Sequence, residues 1–147
     1  MNHQRHVIRE AIVALLAASG TLASTRVYDT PYDPRTVFPA LTVEDTAEDQ
    51  DTGEFGSGQA NRSIERTLHL IVSAEVQQTT NYARTRDQLL AEVETALANA
   101  VIAGVKSITP TGFRSDLGVS GERPIAIGRQ HFAVWYVTRQ NNPSTST

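Results

Sequence analysis

The chain has 147 residues, a formal net charge of −3 and no cysteine. A domain of this size buries about two-thirds of its unfolded surface, enough to fold without disulfides or a structural metal, and the missing thiols exclude a disulfide scaffold, a thiolate metal site and a cysteine nucleophile. Its 13 basic and 16 acidic residues are spread along the chain, so there is no basic footprint of the kind that grips nucleic acid through counterion release.

Val7, Ile8, Ala11, Ile12, Leu15 and Leu16 recur at three- and four-residue intervals, which predicts an amphipathic helix ended by Ser19-Gly20. Arg5, Arg9 and Glu10 fall on its other side. The stretch AIVALLAASGTLAS ends in small residues as a signal peptide does, but Arg9 and Glu10 precede an apolar run of only residues 11–18, so it reads as helix. No apolar run approaches the roughly 20 residues of a membrane span.

Residues 25–28 predict a short strand, cut off by the turn-rich DTPYDP, and residues 38–43 a second, with Pro39 at an edge or at its start. Residues 44–61 then predict a long acidic, glycine-punctuated loop. It carries Asp45, Glu48, Asp49, Asp51 and Glu54, no basic residue, and one large apolar side chain, Phe55. Such a segment cannot bury enough surface to order itself, so it is expected to take structure against a partner. Removing residues 45–58 is therefore expected to spare the fold.

In SIERTLHLIVSAEV, Ile64, Leu68, Leu70, Val72, Ala74 and Val76 share one face, which predicts a half-buried strand. At about 3.3 Å per residue it would reach about 43 Å, well beyond a typical strand of about 20 Å, so its N-terminal part is expected to project. A second helix is predicted over residues 82–102, capped by Asn81, stopped by Gly104 and striped by Leu89, Leu90, Val93, Ala96, Leu97 and Ala100. Residues 105–109 predict a strand and 110–124 a second long connection carrying Phe113, Arg114 and Asp116. PIAIGRQHFAVWYVTR closes as a strand, leaving residues 140–147 as a loose polar tail beyond a single domain of residues 1–139. The order, helix, two strands, loop, strand, helix, two strands, predicts an α+β fold with two helices on one face of a mostly antiparallel sheet.

Chemistry is sparse. His3 and His6 share a helix face, but a metal site needs three or four ligands and no third is suggested. His69 and His131 lie on predicted strands and could meet across a sheet, as could any two strand residues. Gly118-Val119-Ser120-Gly121 has the wrong spacing for a nucleophile elbow, phosphate-binding glycine loops are absent, and Glu92 and Glu94 point apart on a helix. The loop carboxylates lack calcium-loop spacing. Phe132, Trp135 and Tyr136 read as core or interface anchors. No catalytic residue, metal or cofactor is expected.

The element order, the long loop before SIERTLHLIVSAEV, the helix RTRDQLLAEVETALAN and the closing HFAVWYVTR together resemble the tail terminator proteins of long-tailed bacteriophages, the family of the lambda minor tail protein U. The likeness spans nearly the whole chain and is one of layout and size. It implies an α+β subunit in a hexameric ring that caps the tail tube, stops its growth and offers a surface to the head-side connector or stopper protein. The virion tail is then its place, and DNA passes through the lumen without specific binding. With that role, Asp45, Glu48, Asp49, Asp51, Glu54 and Phe55 of the loop and Phe113, Arg114 and Asp116 of the second connection are expected at interfaces, and Arg84, Arg86 and Arg114 are candidates to pair with the loop across subunits. Another neck or stopper component is the alternative within this class. A small hydrolase or ligand-binding domain, which needs converging titratable groups in a pocket, is the alternative outside it.

Overall fold

The computed structural model describes residues 3–29, 37–52, 63–77, 80–120, 123–139 and 142–146. In chain order these form α1 (Gln4–Ala18), β1 (Val27–Tyr28), β2 (Ala40–Thr52), β3 (Ser63–Val76), α2 (Tyr82–Ala98), β4 (Val105–Ser120), β5 (Arg123–Arg139) and β6 (Asn142–Ser146). The fold is α+β, with a mixed, mostly antiparallel sheet in the order β1-β2-β3-β5-β4 and β6 attached to β5. Among the described strands only β1 and β2 run parallel.

Both helices cover the same face. Ile8, Ile12 and Leu16 of α1 and Leu89, Leu90, Val93 and Leu97 of α2 share one buried cluster with Leu41, Val43, Leu68, Leu70, Val72, Phe132, Val134 and Tyr136 of the sheet. The period of two in β3 and β5 and of three to four in the helices puts these side chains on facing surfaces. Burial of this one apolar layer is the main force holding the fold together. Trp135 alternates to the opposite face and is 41% exposed, while Phe132 and Tyr136 are core.

Several expectations change. Residues 44–52 are not loop: β2 runs through the acids to Thr52, in register with β3 from Ala40↔Glu75 to Thr52↔Ile64. A bulge between Asp45 and Ala47 adds a residue there. Acidic residues are poor strand formers alone, but the long partner β3 supplies the ladder, and tertiary pairing outweighs propensity. Residues 110–120 and 123–124 are likewise strand and not connection. β4 and β5 form one hairpin from Val105↔Tyr136 to Ser120↔Arg123, with bulges between Val105 and Ser107 and between Pro110 and Gly112. Pro110, Gly112 and Gly118 sit on an edge strand, where proline and bulges are tolerated.

Helix α2 stops at Ala98, with Asn99 as its C-cap. Gly104, at φ 85°, instead makes the turn into β4. Asn81 precedes α2 in a left-handed conformation and makes no side-chain cap bond. Residues 142–146, expected to be loose tail, pair with β5. Gly20, at φ 68°, follows α1 as expected.

Candidate assembly surfaces

The acids of β2 divide by face. Residues opposite Leu70, Leu68 and Arg66, namely Asp45, Glu48 and Gln50, share the helix-covered face, whereas Ala47, Asp49 and Asp51 share the open one. The bulge permits this, because the extra residue lets acids before and after it keep register with the apolar side of β3.

Glu48 is the centre of a buried polar cluster under the first turn of α1. Its side chain is 4% exposed, and Oε2 accepts from Arg5 and Arg66, each at 2.9 Å, and from Gln50 at 2.7 Å. Tyr136 Oη donates to Oε1, and Arg66 Nε donates to Thr138 Oγ1 at 2.8 Å. Arg66 occupies a slot in β3 that alternation reserves for an apolar residue. Burial pushes the Glu48 carboxyl up, but the hydrogen bonds from Tyr136, Gln50 and Arg66 and the charge of Arg5 outweigh it and hold the group below its ordinary value. The same burial, and the proximity of Glu48, raise Tyr136. His3, the α1 N-cap, accepts from the Arg5 backbone N–H, and burial together with the charges of Arg5 and Arg66 lowers its pKa. The cluster joins α1 to β2, β3 and β5. The Glu48 carboxylate is thus turned into the subunit and bonded there, not presented on its surface.

The other expected interface residues are also distributed by the fold. Asp45 pairs with Arg9 of α1 at 3.0 Å, and Asp49 with His69 at 2.8 Å. Asp116 pairs with Arg129 at 3.0 Å and accepts from the Leu117 N–H, and that N–H, followed by Arg129, lowers its carboxyl. Arg86 bonds Asp87 at 3.1 Å and lies over the Phe113 ring, 5.2 Å from its centroid. Its stem covers Gly128, where an added Cβ would meet Arg86 Cδ at 2.7 Å. Phe113 and Leu117 of β4 remain 46% and 68% exposed. Asp51, Arg84 and Arg114 are exposed and make no ion pair with a described residue. Glu54 and Phe55 lie outside the described residues. The fold therefore does not gather the named acids and arginines in one place within a subunit.

Sequence reasoning missed the cluster of Arg5, Gln50, Arg66, Tyr136 and Thr138. The legible signal was the arginine standing in the apolar phase of an otherwise regular half-buried strand.

Among the described residues, no group of three His, Cys, Asp or Glu side chains could hold a metal ion, and no helix is long and apolar enough to cross a membrane. A shallow cleft between the end of α1 and α2 is lined by Ser19, Thr21, Gln88, Glu92, Thr95 and Asn99. Its one ionisable group, Glu92, accepts from the Leu22 backbone N–H at 3.4 Å, so no titratable side chains converge there.

No protein-family model matches the chain, and no curated protein matches it. Among solved structures, the chain is similar to one from a structure described as "Virion of native gene transfer agent (GTA) particle", at a TM-score of 0.55 and 18% identity, over 90% of this chain and 97% of that one. At that identity the likeness is one of fold.

Proposed function

We propose that the chain is a structural subunit of a phage-like virion, and specifically a tail terminator that forms a ring on the finished tail tube. The observation that carries this reading is the shared fold with a virion-particle chain along almost the whole of both chains. The sequence resemblance to terminators points the same way, and the exposed Phe113, Leu117 and Trp135 supply apolar surface for subunit contacts.

Physically, a tube grows by head-to-tail contacts that never close along its axis. Stopping growth requires a subunit that matches the last ring on one side and presents a different surface on the other. That second surface then receives the head-side connector, and DNA passes through the ring. A hexamer is the stoichiometry that the resemblance implies.

The test is to mix the purified protein with growing tail tubes and image them by electron microscopy. Rings seated at one tube end, with tube length fixed from the moment of addition, are expected. Tubes that elongate as before, with no density at their ends, would overturn the reading. Density on the connector in place of the tube would reassign the chain to the neck.

A further inference from the structure

Among the described residues, the sheet has two open edges that carry opposite charge outside any ion pair. β1 covers β2 only at Leu41 and Thr42, so among the described residues β2 has no outer neighbour from Val43 to its end, and β4 has none along its length. Glu44 and Asp51 of β2 make no ion pair with a described residue, and neither do Lys106 and Arg114 of β4.

Their spacing matches. Through the ladder, Glu44 is level with His131 of β5 and Asp51 with Val137, so the two acids stand six residues apart. Arg114 is level with Arg129, and Lys106 sits in the bulge level with Trp135 and Tyr136, so the two bases stand six to seven apart. Glu44 and Arg114 lie at one end of the sheet, Asp51 and Lys106 at the other. The bulge of β2, level with Phe132 and Ala133, and the second bulge of β4, level with His131 and Phe132, fall at nearly the same height. One offset of one to two residues brings all three features opposite each other.

Direction and face agree too. Each of the pairs β2·β3, β3·β5 and β5·β4 is antiparallel, so β2 and β4 run in opposite senses, and a neighbour rotated about an axis along the strands meets β2 antiparallel with its β4. Glu44, Asp51 and Arg114 all alternate to the face away from the helices.

We propose that β2 of one copy adds to β4 of the next, with Glu44 against Arg114 and Asp51 against Lys106, and that repetition of this heterologous contact closes the ring. The proposal rests on the ring reading above and names its contact. Main-chain hydrogen bonds supply adhesion, as in other strand additions, and the charges set register. Pro110 and the bulges interrupt the edge, which disfavours pairing with unrelated strands or in shifted registers. A repeat of one rotating contact makes a closed ring where an isologous one would stop at a dimer.

The absence of cysteine makes the test clean. Within one copy, three strand spacings separate Glu44 from Arg114, about 14 Å, too far for a disulfide, which needs Cα atoms within about 6.8 Å. Mild oxidation of full-length protein carrying both Glu44→Cys and Arg114→Cys should give a ladder of covalent multimers on non-reducing gels, while either single variant gives at most dimers. In parallel, Lys106→Glu with Arg114→Glu should weaken self-association measured by light scattering by about tenfold, since two exposed pairs become two repulsions. Adding a second chain with Glu44→Lys and Asp51→Lys should restore it. All four positions are at the surface or half-exposed, and circular dichroism confirms that each variant is folded. Rings in the unmodified protein with no ladder and no effect of charge reversal would overturn this contact and leave the ring reading standing. A protein that stays monomeric at every concentration, and at tube ends, would overturn both.

Discussion

At the scale of single residues, the buried cluster around Glu48 sets how stability responds to pH. A carboxyl held below its ordinary value stabilises the fold above the unfolded value of 4.5 and loses that contribution as pH falls through its folded pKa. Tyr136 is shifted the other way, so its contribution is whole below the unfolded value of 10.0 and is lost as pH rises beyond it. Denaturant unfolding should therefore show a plateau between those limits and a decline on both sides. His3, whose pKa is lowered from 6.5 first by burial and then by the charges of Arg5 and Arg66, adds a small decline within that span as pH falls below 6.5. Glu48→Gln should flatten the acid limb. It should also cost about 3 kcal/mol at neutral pH, because Arg66, 7% exposed, loses its carboxylate partner. An unchanged acid limb in that variant would place the pH dependence elsewhere. Gly128 tests packing in the same way. A methyl there meets the flexible Arg86 stem, which can swing away, but also Leu90 Cδ1 at 2.9 Å, and Leu90 is wedged in the core. Gly128→Ala should lower stability by about 1–3 kcal/mol, read from the urea midpoint.

At the scale of elements, the acidic run has become half of a hairpin, and that changes what a deletion does. Removing residues 45–58 takes away the strand that pairs β3 from Leu70 to Ile64, and with it Glu48. The shortened chain should lose its cooperative unfolding transition, contrary to what a loop assignment predicts, whereas Asp51→Asn on the exposed face should shift stability by less than about 0.5 kcal/mol. A cooperative transition surviving the deletion would mean that the ladder beyond the bulge contributes little. The elements that were legible, α1, β3, α2 and β5, are those whose apolar side chains repeat at the period of their own secondary structure and face the common core. The ends of β2 and β4 were not, for a physical reason. Edge strands carry acids, glycine and proline because they have no second neighbour, and those residues signal a loop when read without the partner strand. The candidate site was less legible still. Asp49 and Asp51 face outward, whereas Asp45 and Glu48 turn inward on a bulge whose position depends on pairing with β3, and a single strand's composition does not encode that.

At the scale of the whole molecule, the proposed ring can be held by charge or by apolar contact, and salt distinguishes the two. An edge-to-edge contact steered by Glu44–Arg114 and Asp51–Lys106 lies at the surface, where exposed pairs contribute up to about 1 kcal/mol each and are screened. The screening length falls from about 10 Å at 0.1 M salt to about 3 Å at 1 M. Apolar contact through Phe113 and Leu117 responds oppositely, because it is insensitive to screening and is strengthened by excluded salts such as sulfate. Sedimentation of the full-length protein across that range in sodium chloride should therefore show association weakening as salt rises, and the Lys106→Glu, Arg114→Glu variant should show the reverse, since screening relieves its repulsion. Association that is indifferent to chloride and strengthened by sulfate in both proteins would place the adhesion on the exposed apolar side chains of β4, Phe113 and Leu117, and not on the charge pairs.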